Sequence, residues 1–104
     1  MIVAIVTFQL PRPASVAEMT EIFRSTAPKY LNLPGLLRKN YWVSEDGRRA
    51  GGLYLWASRA DAERCYTDEW KQTVEAKYGS AAEIAYLQSP VMVDNGNGRI
   101  SAPA

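Results

Sequence analysis

Histidine is absent from the chain, and whole classes of chemistry go with it. A Ser-His-Asp triad, a Cys-His pair, a histidine-ligated haem and most zinc sites all need an imidazole. Cysteine is nearly as scarce. Cys65 stands alone, so it forms no internal disulfide and has no second thiol with which to hold a metal. It reads as a small buried apolar residue on a short helix, and no metal site is expected. An excess of one charge is missing too: 12 Lys and Arg against 11 Asp and Glu leave +1, too little to point to nucleic acid or an acidic membrane. The longest apolar run lies in MIVAIVTFQL and is about half a membrane span. That run also lacks the basic segment and cleavage site of a secretory signal, so a cytoplasmic location is expected. Gly51-Gly52 has no Lys-Ser/Thr sequel, which removes a phosphate loop. An enzyme made from this chain must take its acid and base from Lys, Arg, Tyr, Asp, Glu or the substrate.

What is present is an ordinary globular pattern, 47% hydrophobic and 22% charged over 104 residues, enough for one domain. Ile2 to Leu10 is rich in β-branched residues and reads as a strand. PRPAS breaks it. Ser15 followed by Glu18 makes a capping box, and Met19, Ile22, Phe23 and Thr26 recur at helical spacing, so a helix is expected from Val16 to Ala27. Leu36 to Val43 reads as a second strand, SEDGRR as a turn, and Gly51 to Trp56 as a third strand. Ser58 to Tyr66 and Asp68 to Tyr78 read as helices, the second closed by Gly79. A fourth strand is expected over Glu83 to Val93, interrupted by Pro90. The domain is expected to span 1–95, with 96–104 a loose tail lacking periodicity.

The order βαββααβ is that of a ferredoxin-like α+β sandwich, with the first and third strands central. Ile2, Ala4, Val6 and Phe8 face one way on the first strand, yet Val3 and Ile5 on the other side are apolar as well. Helices cover one side of a four-stranded sheet, and a second copy of the chain is the simplest cover for the other. A homodimer packed sheet against sheet is therefore expected.

LPGL with Lys39, the GG-x-Y-x-W strand, the EW pair at Trp70, the YG pair Tyr78-Gly79 and the ending PVMVDN resemble the mono-oxygenases of the dimeric α+β-barrel superfamily. The resemblance covers Met1 to Asn95. It implies small homodimers similar to antibiotic-biosynthesis mono-oxygenases, which oxidise phenolic or quinol-type aromatics with molecular oxygen and no metal or flavin cofactor. Trp56 matches the tryptophan of the quinol-oxidising members and is a candidate catalytic residue. Lys39 is the other, as a base whose pKa an apolar pocket would lower, or as a partner for a phenolate. Tyr54, Tyr66, Trp70 and Tyr41 are candidate substrate-binding residues, with Arg38 a weaker one. Each has a plainer role open to it: core packing for the aromatics, a solvated edge-strand cation for Lys39. The sequence departs from the family where the quinol-oxidising members carry an asparagine, since AGGLYLW has glycine and apolar residues there. Without histidine, haem degradation is not expected. Two other functions stay open: a homodimer that binds a small aromatic molecule without turnover, and an RNA-binding module of the same βαββαβ order.

Overall fold

The computed structural model describes residues 1–102. Its main sheet has four antiparallel strands, β1 (Ile2–Gln9), β2 (Leu36–Val43), β3 (Arg49–Trp56) and β4 (Glu83–Gln88), in the order β2-β3-β1-β4. Three helices pack on one face: α1 (Val16–Thr26), α2 (Arg59–Cys65) and α3 (Asp68–Tyr78). This is the α+β ferredoxin-like arrangement, with β1 and β3 in the middle.

Local chemistry sets the helix ends. The Ser15 hydroxyl accepts from the Glu18 N–H at 3.1 Å while the Glu18 carboxylate accepts from the Ser15 N–H at 3.4 Å, completing the capping box. Ser58 and Thr67 cap α2 and α3 by accepting from the Asp61 and Trp70 N–H groups. Gly79 ends α3 at φ 85°, a left-handed conformation that costs glycine little. After α1 the chain tightens into a 3₁₀ turn over Ala27–Tyr30, with Pro28 inside it.

The alternation of β1 divides its side chains as expected. Ile2, Ala4, Val6 and Phe8 are buried beneath the helices, with Ala50, Tyr54 and Trp56 of β3 on the same side. Met19 and Phe23 of α1, Ala62 of α2, and Val74 and Tyr78 of α3 close this core from above. Phe8 stacks on Tyr78 at 4.0 Å and Phe23 on Tyr41 at 4.5 Å. On the opposite side of the sheet Val3 and Ile5 are half-buried, and Leu53 and Leu87 are 38% and 50% exposed.

Three boundaries differ from the sequence expectation. β3 begins at Arg49 instead of Gly51, because the turn closes early: the Ser44 N–H donates to the Arg49 carbonyl and Asp46 accepts from the Arg48 N–H. The strand expected over Glu83 to Val93 is interrupted at Pro90 as expected, since proline has no N–H to continue the ladder, but it ends in the main sheet at Gln88 and Met92–Asp94 joins a different sheet. Within the stretch expected as a loose tail, β6 (Arg99–Ser101) pairs with β5 (Met92–Asp94) in a separate two-stranded sheet. Side chains of the turn hold it, Asp94 accepting from the Gly96 N–H and Asn97 from the Arg99 N–H. The expected domain limit after residue 95 falls inside that turn, and positions 103–104 lie outside the described residues. Among the described residues no helix is long and apolar enough to cross a membrane.

Candidate functional site

The pairing of β2 with β3 decides which side chains reach the helix side. Lys39 lies opposite Tyr54 and Tyr41 opposite Gly52, whereas Arg38 lies opposite Leu55. Lys39 and Tyr41 therefore share a face with Tyr54, and Arg38 is left exposed on the other face. The 3₁₀ turn then brings Tyr30 across the same place. The Lys39 Nζ sits 3.4 Å from the Tyr30 ring centre, 3.8 Å from that of Tyr41 and 4.4 Å from that of Tyr54. Three ring faces hold one ammonium.

The rings are themselves held. Tyr30 accepts a hydrogen bond from the Trp70 indole N–H at 2.9 Å, and the Tyr41 hydroxyl lies 2.7 Å from the Thr26 hydroxyl. Tyr30 meets both Tyr41 and Tyr54 edge to face. Gly52 makes the room: a Cβ there would come within 2.8 Å of the Tyr54 ring and 3.1 Å of the Lys39 stem. These residues border a cavity of about 40 Å³ between sheet and helices, walled further by Val6, Phe8, Val74 and Tyr78. That volume is near one water's share of liquid, so the Lys39 side chain and the rings take up most of the space between the layers.

Burial dominates the electrostatics. Loss of water pulls the Lys39 amine from 10.5 down to about 7, with Cys65 raising it a little and the nearby Lys29 charge lowering it. No carboxylate counters this. The ion pairs among the described residues are Arg12–Glu18, Arg59–Glu63 and Arg64–Asp61, and none includes a lysine. Burial also raises the hydroxyls of Tyr30, Tyr41 and Tyr54, which stay protonated near neutral pH. Chemically, then, the site pairs an amine able to take a proton near neutral pH with flat apolar walls and neutral hydroxyls. Among the described residues no group of three or more His, Cys, Asp or Glu is placed to hold a metal ion.

Of the residues singled out in the sequence, Lys39, Tyr41, Tyr54 and Trp70 border this cavity. Trp56 and Tyr66 do not; they lie one layer behind it. Trp56 is fully buried, stacks on Tyr54 at 5.9 Å and donates its indole N–H to the Tyr66 hydroxyl at 3.1 Å. Tyr66 in turn leans on Trp70 at 4.7 Å. Their geometry is that of a backing wall, because alternation along β3 fixes the side of the sheet but the helix positions decide what reaches open space. The residue missed in the sequence is Tyr30. It sits in KYLNLPG, where no helical or strand period marks it, and the one available signal was an aromatic just after Pro28 in a connector.

The profile of the family described as "Putative mono-oxygenase ydhR" matches residues 3–86. Several solved structures share the fold. The monooxygenase from the gene ActVA-Orf6 of Streptomyces coelicolor, in complex with the ligand nanaomycin D, matches with a TM-score of 0.64 and 19% identity, covering 85% of this chain and 86% of that one. SnoaB, a cofactor-independent oxygenase from Streptomyces nogalater, matches at 0.60 and 15%, covering 85% and 91%. An antibiotic biosynthesis monooxygenase of Caulobacter crescentus, itself described as putative, matches at 0.59 and 26%, covering 85% and 89%. No curated protein matches the chain significantly.

Proposed function

Because the chain belongs to the family described as "Putative mono-oxygenase ydhR", we propose that it is a cofactor-independent mono-oxygenase acting on a small phenolic or quinol-type aromatic compound. The observation that carries this reading is the Lys39 amine set among three tyrosine rings with no carboxylate partner. A phenol deprotonated by the neutral amine becomes an electron-rich anion that can itself pass electrons to molecular oxygen. The ammonium so formed offsets the phenolate charge, the tyrosine hydroxyls hydrogen-bond to it, and the apolar walls exclude water. For a ring CH₂ beside the phenol, one oxygen atom ends in the new carbonyl and the other in water, with no external reductant consumed. A bicyclic phenol is larger than the free space, so the Lys39 stem must withdraw from the rings as the ligand takes its place. Trp56 and Tyr66 act by position, holding Tyr54 and Trp70 in the wall.

A second copy completes the assembly in this reading. The uncovered sheet face carries Leu53 and Leu87, and the β5–β6 arm adds Val91, Val93 and Ile100, each more than half exposed. These exposed apolar side chains are the ones a second copy would cover. The single free cysteine suits the reducing cytoplasm as the place of action.

Oxygen uptake with naphthohydroquinones and anthrones tests the function. Uptake above the uncatalysed rate, lost in Lys39→Met, is the expected result. Ligand binding with no uptake from any such compound would favour sequestration without turnover, the reading suggested by β3 offering Gly52 and no polar amide to the cavity.

A further inference from the structure

The cavity's charges are all of one sign. Lys39 lies among the rings, and Lys29 and Lys77, both exposed, complete the lining at its rim. Lys29 comes from the 3₁₀ turn, with its Nζ 5.9 Å from the Tyr30 ring centre, and Lys77 comes from the last turn of α3. Among the described residues no Asp or Glu belongs to the lining, and none of the three lysines is in an ion pair. Lys29 is close enough to disfavour a proton on Lys39, and no carboxylate of the lining offsets these positive side chains, which favours an anionic ligand.

We propose that the ligand of this site is an aromatic carboxylate: a flat hydroxylated ring between the tyrosines, with its carboxylate at the rim between Lys29 and Lys77. This rests on the function proposed above and narrows it to one class of substrate. The cavity is bordered by the end of α1, at Thr26, and by α3 from Trp70 in its first turn to Lys77 in its last. As the ring displaces the Lys39 stem, the carboxylate gives the rim cations their missing counter-charge while Lys39 remains beside the phenol.

Quenching of tryptophan fluorescence by 1-hydroxy-2-naphthoate and by 1-naphthol tests this, since Trp70 borders the cavity. The acid is expected to bind at least about tenfold more tightly at low salt, with the preference shrinking as salt is raised to about 0.3 M. Lys29→Ala combined with Lys77→Ala should bring the ratio of the two affinities towards one, while Lys71→Ala, outside the lining, should leave it in place. Equal binding of the two probes, or a preference that survives both salt and the double substitution, overturns the proposal. If neither probe binds, it is overturned as well. Failure here is separable from failure of the function. Equal binding together with conversion of 1,4-dihydroxynaphthalene and oxygen to 2-hydroxy-1,4-naphthoquinone and water leaves the mono-oxygenase standing and removes the carboxylate. Lysine-dependent binding of the acid without uptake from 1,4-dihydroxynaphthalene or its 2-carboxylate does the reverse.

Discussion

Replacing Lys39 by methionine isolates the cost of setting an ammonium among tyrosines. The unfolded chain carries this amine near its ordinary 10.5, and the fold lowers it to about 7. Between those values the unfolded chain binds the proton more strongly, so stability rises with pH across the window and the deficit is fully present below about pH 7. The three ring faces attract the cation, but the loss of water outweighs them. Integrating the difference from pH 7 to pH 9 gives a gain of about 2 kcal/mol in the wild type. Lys39→Met keeps the stem's length and packing without the charge, so it should be more stable than wild type at pH 7 and should lose this rise. The measurement is urea unfolding followed by tryptophan fluorescence at pH 7, 8 and 9, at one fixed protein concentration. Stopping at pH 9 matters, because burial pushes the Cys65 thiol up to about 11, and its contribution runs the opposite way above its ordinary 9.0. Parallel pH profiles for the two proteins would refute the reasoning, since the Lys39 amine would then titrate alike folded and unfolded.

Three further outcomes follow from named contacts. Tyr66→Phe leaves the buried Trp56 indole N–H without its acceptor and should cost about 1–3 kcal/mol in urea unfolding. Gly79→Ala should cost about 1 kcal/mol for its left-handed backbone alone, since the nearest atoms, of Pro11, are at an ordinary 3.7 Å. On the proposed dimer, Leu53→Lys with Leu87→Lys places charge on the sheet face and should halve the mass seen by light scattering; an unchanged dimer mass would put the interface elsewhere, and a wild-type monomer would remove it.

The strands and helices were legible because their signals are local. Alternation in IVAIVTF gave both faces of β1, and Ser15 with Glu18 marked the start of α1 to the residue. The β5–β6 pair was not legible, because three-residue strands carry no period and the Asx contacts of the turn resemble those of any polar loop. The site was half legible. Lys39, Tyr41 and Tyr54 follow from strand parity once the turn fixes the pairing. The place of Tyr30 at the cavity and of Trp56 behind it depends on where a 3₁₀ turn and α3 come to rest, which long-range packing decides and no window of sequence contains.

Strand order also sets a timetable during synthesis. β1 is made first yet lies between two strands that come later, β3 ending at Trp56 and β4 at Gln88. At about 5–20 residues per second, its second neighbour leaves the ribosome several seconds after β1 does. Through that interval a segment apolar on both faces has no complete set of partners, and the nascent chain is at its stickiest just before the sheet closes. The last strand of the sheet is thus also the one that ends this exposure, so a ribosome stalled between Trp56 and Gln88 would hold β1 with one edge open.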